Sequence, residues 1–361
     1  MTTELAVPAT GRDAGVPWHF GDPLREQRQL TTGAGIVDRS NRDVLTVPGE
    51  DRLGWLHSIC SQHLTALADG DSTEALVLSP HGHVEQHWQV TELDGTVWLD
   101  TEPGAAAEVL GYLDKMRFLK RVDPGDVSAD WAVLSLVGPA TPTVLSVAGL
   151  PAPEPAGRAT GLAGGGFVRR MAWPGADAAD LIVPRSTAAA VIETLVSAGA
   201  GRAGLWAFEA LRVAARRPRL GHETDHRTIP HEVEWIGSAV HLDKGCYRGQ
   251  ETVAKVHNLG HPPRRLAMLH LDGSDGVLPE AGDEVLLGDA AVGRVTAAAL
   301  HHELGPIALA VLKRSADPVA ELTVTTADGA RLAAAQQVIV PPDAGAEANV
   351  PRLPRVGATR R

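Results

Sequence analysis

Residues 243–256 read Asp-Lys-Gly-Cys-Tyr-Arg-Gly-Gln-Glu-Thr-Val-Ala-Lys-Val, and the placement of Gly245 and Gly249 organises the reading around them. Two glycines four apart bracket Cys246, Tyr247 and Arg248. They mark a tight loop where backbone turns or approaches a neighbour closely. From Gln250 the pattern is helical, with Glu251 and Lys255 an i,i+4 couple. A loop that feeds a helix N-terminus presents free N–H groups and suits an anionic ligand. Lys244 and Arg248 flank Cys246. Nearby cations and a helix N-terminus both raise a thiol's thiolate fraction. On the residues alone, a structural glycine turn with an inert cysteine carries equal weight.

Working outward, the 361 residues suggest two or three domains at roughly 100–200 residues each. The alternating run 43–47 is a strand ended by Pro48 and Gly49. From Glu50 to Leu67 the spacing of Leu53, Leu56, Cys60 and Leu64 predicts a helix with Cys60 on its buried face. Strands follow at 74–78, 84–90 and 96–100, then a helix over 105–118. Residues 131–137 and 181–183 read as strands, 188–198 and 205–214 as helices, and 149–166 as a Pro/Gly-rich loop. Residues 1–30 read as an irregular arm. After Leu266 short strands alternate with glycine turns, which predicts a small antiparallel barrel. The tail from Pro341 lacks apolar periodicity and is expected to be disordered.

Composition narrows the function classes. Thirty-three basic against 44 acidic residues give −11, which argues against a general basic surface for nucleic acid. No apolar run reaches the roughly 18 residues of a membrane span. The stretch 1–15 has neither a basic nor an apolar segment of a signal peptide. Two cysteines make no disulfide framework, so a reducing, cytoplasmic setting is expected.

The run Lys244–Glu251, K-G-C-Y-x-G-Q-E, resembles the signature of the YgfZ family of folate-binding proteins, relatives of the aminomethyltransferase (T-protein) of the glycine cleavage system. The resemblance covers roughly residues 30–335. It includes GIVDRS at 35–40, VPGED at 47–51, Trp55–Leu56, LVLSPHG at 76–82, IPHEVEW at 229–235, GRVT at 293–296 and IALAV at 307–311. It implies an α+β, three-domain ring of the T-protein type. Residues 1–265 would form a folate-binding region, a discontinuous first domain with a ferredoxin-like insertion. Residues 266–340 would form the C-terminal antiparallel barrel, and 341–361 a disordered tail.

The resemblance also assigns candidate residues. Transferases of this superfamily carry an acid near folate N5 in a G-G-I-x-D-D stretch, and the matching segment places Glu85-Gln86 there. They grip the pterin with Glu in L-R-x-E-A-G-L; here the Glu position is Ala214 and the Gly position Arg216. Charge-assisted carboxylate bonds of that kind are strong, and Ala214 has none to offer. The signature cysteine, generally missing from transferases, is present. These departures favour the YgfZ-like branch, which implies a tetrahydrofolate-binding accessory protein supporting iron–sulfur cluster assembly or repair; whether it is an enzyme is left open, leaning against, and if it is one an aminomethyltransferase-like one-carbon transferase is expected. The alternatives are a tetrahydrofolate-dependent aminomethyltransferase and a non-catalytic scaffold, with Arg216 the suspect for filling the central hole. Cys246 is the expected functional thiol. Glu85, Asp100, Arg212 and Lys244 are expected to border one folate pocket, with Tyr247 of the signature among the ligand-binding set and Arg265 near the mouth. Expected partners are folate and iron–sulfur client proteins. Lys255 stands where Arg is frequent, which keeps charge but loses bidentate geometry.

Two rival motifs need weighing. His222-Glu-Thr-Asp-His226 spells H-E-x-x-H, which needs a helix to bring both histidines to one metal. Pro218, Gly221 and Pro230 surround it, and a solvent-exposed loop is the favoured reading. His81, His83 and His87 share a strand face by spacing, and pocket-lining histidines are commoner there than a metal site. No metal ligand set is assigned.

Overall fold

The alternating segments pair into strands that bury one face each. The computed structural model describes residues 6–348 apart from 176 and 275. In chain order, strands β1 (Val7–Pro8) and β2 (Pro17–His19) form a small hairpin before helix α1 (Pro23–Thr32). Then come β3 (Gly35–Asp38), β4 (Asp43–Pro48), α2 (Arg52–Ile59), β5 (Ser72–Leu78), β6 (Val84–Leu93), β7 (Thr96–Thr101), α3 (Ala106–Arg117) and β8 (Gly125–Asp126). Next are β9 (Trp131–Val137), α4 (Thr141–Val147), β10 (Arg158–Gly161), β11 (Phe167–Arg170), β12 (Ala178–Pro184), α5 (Ala188–Ser197), β13 (Gly201–Ala203) and α6 (Leu205–Ala214). Helix α7 (Gln250–Leu259) precedes β14 (Arg264–Leu271), β15 (Glu284–Leu287), β16 (Ala290–His301), β17 (Gly305–Lys313), β18 (Leu322–Thr325) and β19 (Arg331–Val338).

These strands make three main sheets. An antiparallel sheet has the order β5-β6-β7-β4-β8. Its apolar face, with Val47, Trp88, Val90 and Leu99, packs on Trp55 and Leu56 of α2 and on Val109 and Leu113 of α3. A second sheet, β10-β11-β12-β9-β3-β13, is antiparallel except where β13 runs parallel to β3. Leu134, Leu136 and Leu181 pack there against Leu145 of α4 and Leu195 of α5. The third is a closed six-stranded antiparallel barrel, β14-β17-β16-β15-β18-β19. Closure leaves no edge strand to template aggregation. The barrel is filled by Ala267, Leu269, Val295, Leu312 and Val324. On its outside, Leu266, Met268 and Leu309 share a core with Leu76, Trp235, Tyr247 and Val253. The barrel is thus packed against the signature loop, as the α+β ring with a C-terminal barrel requires.

Between the first two sheets and the barrel runs a chain of buried ion pairs. Asp100 meets Arg42 at 2.8 Å and Arg169 at 2.6 Å, and Arg169 continues to Asp180 at 2.9 Å. Arg42 reaches Glu102 at 3.3 Å, and Arg219 bridges Glu102 at 2.6 Å to Asp13 at 3.0 Å and Glu209 at 3.0 Å. Burial opposes charge on each carboxylate, yet the facing guanidinium groups hold Asp100 and Glu102 below the ordinary carboxylate range.

Several sequence expectations change. The helix read over 50–67 stops at Ile59, because the carbonyls of His57, Cys60 and Gln62 turn to the Lys244 ammonium instead of continuing the ladder. The arm contains α1, started by Asp22, whose carboxylate accepts from the Arg25 amide at 2.9 Å, and by Pro23. The loop 149–166 contributes β10, paired with β11. The tail is held over its first residues: the amides of Ala346, Glu347 and Ala348 donate to the carbonyls of Val256, His257 and Asn258 at the end of α7. The remainder of the expected disordered tail lies outside the described residues. Among the described residues no helix is long and apolar enough to cross a membrane.

Candidate functional site

The signature loop is anchored on both sides of its cysteine. Lys244 is buried and donates to the carbonyls of His57, Cys60 (2.6 Å) and Gln62 (3.1 Å). Burial lowers its pKa. Its ammonium lies 4.9 Å from the centre of the Tyr247 ring, a cation–π contact. On the far side Arg248 forks onto Glu85. Gly249, at φ +84°, has no room for a Cβ, which would lie 2.5 Å from the Ser79 carbonyl and 3.0 Å from the Gly82 Cα. Gly82 is equally tight against Thr252. Between these anchors Cys246 is exposed and nothing crowds Gly245. Cys60 is buried, and burial pushes its thiol up to about 11.

The residues expected to border one folate pocket are each engaged by other groups of the protein. The two cations flanking Cys246 are both engaged elsewhere, Lys244 on carbonyls and Arg248 on a carboxylate. Asp100 is locked between Arg42 and Arg169. Arg212 is fully buried against Glu209 at 2.9 Å and Glu223 at 3.1 Å, because α6 carries it away from solvent into the ion-pair chain. Arg265 points into the barrel end and bonds to Gln336 and the Ala316 carbonyl, since alternation along β14 puts it on the inward side with Ala267 and Leu269. Tyr247 is buried in the core shared with the barrel, and burial raises its hydroxyl pKa to about 12. Glu85, Asp100, Arg212, Lys244 and Arg265 therefore each hold partners of their own within the protein.

The H-E-x-x-H stretch is a run of turns, so it cannot present two histidines from one helix face. It is not a solvent-exposed loop either. Glu223 is fully buried and accepts from the Arg219 amide, Arg212 and Thr296. Arg264 pairs with Asp225 and Glu232, so it too has its own partners. Among the described residues no group of three His, Cys, Asp or Glu side chains is placed to hold a metal. Arg216 is exposed, so it does not fill a central hole.

A different constellation occupies the space between the sheets. Glu74 on β5 and His87 on β6 meet at 3.1 Å through Oε2 and Nε2. Both are buried, His87 to 4% exposure. The imidazole stacks on Trp235 at 4.8 Å and stands 6.5 Å from Trp173. Burial opposes the Glu74 charge, but His87, Arg217 and Arg169 hold its pKa below the ordinary value. Gln89, opposite both Glu74 and Asp100 in the sheet, keeps a buried Oε1 without a hydrogen-bond partner. Next to Trp173, Pro174 and Gly175 line a cleft of about 300 Å³ with Thr31, Gly138, Leu211 and Ala214. Ala214, expected in place of the pterin-gripping acid, thus does border a cleft.

Sequence reading missed this pair for a countable reason. Six letters of G-G-I-x-D-D laid from Gly82 end at His87, so the two acids correspond to Gln86 and His87, not to Glu85 and Gln86. Glu85 is about one-third exposed and tied to Arg248, while His87 takes the central position. Glu74 had a weaker signal: an acid one step before the apolar run Ala75–Leu78.

The residues can be tested against the ligand that the resemblance implies. A pterin offers flat faces and an edge of N–H donors. Two indoles, an imidazole and the unpartnered Gln89 carbonyl have the chemistry for such a ring, although all four side chains are buried against protein. The acid grip at Ala214 is missing.

Comparison with known proteins follows the same lines. Residues 14–244 match the GCVT N-terminal domain and residues 264–342 the glycine cleavage T-protein C-terminal barrel domain. An aminomethyltransferase of Nostoc sp. is 27% identical over 312 residues, 82% of this chain and 81% of that protein. One of Symbiobacterium thermophilum is 28% identical over 298 residues, 78% of each. The crystal structure of the glycine cleavage system aminomethyltransferase T from Bartonella henselae superposes with a TM-score of 0.82 at 20% identity, covering 93% of this chain and 94% of that one.

Proposed function

The chain belongs to the glycine cleavage T-protein family, in both its N-terminal and its barrel domain, and from that membership we propose that it is a tetrahydrofolate-binding accessory protein of the YgfZ type. It would act in the cytoplasm on the assembly or repair of iron–sulfur proteins, with those client proteins as partners. The observation that carries this reading is Cys246, exposed at the apex of a signature loop that is fixed at both ends. Fixing a thiol on a rigid support positions it for chemistry with a second molecule. Ala214 argues in the same direction, because the resemblance puts a transferase's carboxylate grip on the pterin at that position and alanine has none to offer. Trp173, Trp235, His87 and Gln89 would hold the pterin. Bound folate supplies one-carbon or redox-active ring chemistry; the protein's residues orient it and exclude water.

A second reading, aminomethyl transfer involving tetrahydrofolate, is the one that the relatives' names support. A carboxylate does persist in the middle of the fold, as Glu74. Two measurements test the readings, and the second separates them. Calorimetric titration with near-millimolar tetrahydrofolate should give heat and a raised melting temperature; neither appearing would defeat both. Incubation with an aminomethyl donor and tetrahydrofolate should give no one-carbon transfer, and turnover would establish the second reading. Linkage predicts about 2.7 kcal/mol of added stability at 100-fold excess over Kd.

A further inference from the structure

Three imidazoles gather beside the carbonyl cradle of Lys244. His57 on α2 and His63 in the turn after it stand 4.8 Å apart between ring centres. His63 stands 5.1 Å from His241, just upstream of the signature loop. Leu64 is fully buried, and its amide donates to His57 Nδ1 at 3.3 Å, its one hydrogen bond among the described residues. An accepting Nδ1 carries no proton, so the neutral ring has its proton on Nε2. This bond closes the turn 57–64, and the carbonyls of His57, Cys60 and Gln62 in that turn hold the Lys244 ammonium. The same turn accepts the His241 amide on the Ser61 carbonyl at 3.0 Å, and the Gln62 side chain donates to the Ser238 carbonyl at 2.9 Å. One closed turn thus fastens the whole approach to the signature loop, from Ser238 to Lys244.

We propose that His57 is a pH-sensitive latch on the loop that carries Cys246, shut while its ring is neutral and opened when Nδ1 takes a proton from solvent. The added proton turns an acceptor into a donor facing the Leu64 N–H, so the bond is lost and a buried amide is left unsatisfied. The new charge is also unwelcome. Burial first, then the Lys244 ammonium, His63 and His241, hold the His57 pKa below its ordinary 6.5. Cys60 and Tyr247, the other titratable neighbours of Lys244, stay neutral in this range, because burial raises them to about 11 and about 12. Above pH 6.5 the ring is neutral in folded and unfolded chains alike, and the latch contributes fully. As pH falls from there toward the folded value, that contribution is lost. This inference does not depend on the folate reading.

Hydrogen exchange of the purified chain from pH 7.5 to 5, each rate divided by that of an unstructured amide at the same pH, reads the latch. Three amides report it: Leu64, His241 and Gln250, the last bonded to the Tyr247 carbonyl across the signature loop at 3.2 Å. Their protection should fall together by about fivefold or more, while that of barrel residues 307–312 changes by under about twofold. His57→Asn keeps an acceptor near the Nδ1 position and cannot take the proton, so the fall should shrink to under about twofold. His241→Gln removes one repelling neighbour from the exposed side of the cluster. It should move the His57 ring titration, followed by NMR, to higher pH and reduce the fall, and it decides the matter if melting curves show His57→Asn to be unfolded. Flat protection in wild type, an equal loss in the barrel, the full fall in His57→Asn, or an unmoved ring titration in His241→Gln would each overturn the inference.

Discussion

Arg248 donates from Nη1 to Glu85 Oε2 at 2.9 Å and from Nη2 to Oε1 at 3.3 Å, tying the signature loop to the start of β6. The guanidinium also lies 5.9 Å from the Tyr112 ring centre, so the clamp reaches α3. The pair is about one-third exposed on each side, and solvent screens it. Arg248→Ala should therefore cost under about 1 kcal/mol of stability. Its effect should be local: faster amide exchange over residues 245–249, read by hydrogen exchange, with the barrel amides unchanged.

The two thiols should differ sharply. Cys246 is exposed, while Cys60 is buried with its pKa raised to about 11. Iodoacetamide at pH 7.5 should label Cys246 at least about 100-fold faster, by peptide mass spectrometry, because Cys246 is open to reagent while burial both shields Cys60 and keeps it protonated. Cys246→Ser should leave the melting temperature unchanged and abolish rescue of iron–sulfur enzymes in a deletion strain. Lys244→Met should strip a donor from three carbonyls, costing about 1–3 kcal/mol, and should let reagent reach Cys60.

Acid should weaken the fold through buried histidines before the carboxylates titrate. His231 is lowered from 6.5 to about 4, by burial first and then by the nearby His257. Above pH 6.5 its ring is neutral whether folded or unfolded, and the stability is complete. As pH falls toward 4 the unfolded chain gains a proton that the folded chain refuses, so stability is lost, at most about 3 kcal/mol. His57, His222 and His301 are lowered in the same sense. Both His231 ring nitrogens are buried without a hydrogen-bond partner. His231→Phe should therefore not destabilise at pH 7, and should flatten the decline between pH 6.5 and 4.5 in urea titrations.

Arg216 follows the last turn of α6 at φ +60°. Its amide donates to the Val213 carbonyl, and the Arg217 amide to the Arg212 carbonyl, the bonds of a helix end that favours glycine. Left-handed backbone costs a non-glycine residue about 1 kcal/mol or more. Arg216→Gly should raise stability by up to about 1 kcal/mol, seen as a higher urea midpoint with an unchanged slope.

Much of the fold was written in local pattern. The glycine-punctuated strands after Leu266 became the barrel, and the apolar steps of 105–118 and 205–214 became α3 and α6. Helix α1 escaped because its apolar residues are sparse, although Asp22-Pro23 is a start signal. The end of α2 was invisible because the donor that stops it, Lys244, is remote in sequence. The site was legible only where one segment carries it, as in the Cys246 loop. Glu74 with His87, and Arg219 among Asp13, Glu102 and Glu209, depend on strand register and on packing between sheets. The partners of Asp100, which are Arg42 and Arg169, and of Arg212, which are Glu209 and Glu223, come from such packing and leave no local mark in the sequence.

The clamp of residues 346–348 on the end of α7 sets an order of events during synthesis. The helix bearing the signature emerges from the ribosome before the barrel, but the amides that satisfy its last carbonyls emerge after it. A nascent chain halted anywhere inside the barrel has its thiol loop translated and its helix end still bare. The end of α7 is therefore capped last, whereas the thiol loop before it already has its anchors on segments made earlier, His57–Gln62 and Glu85.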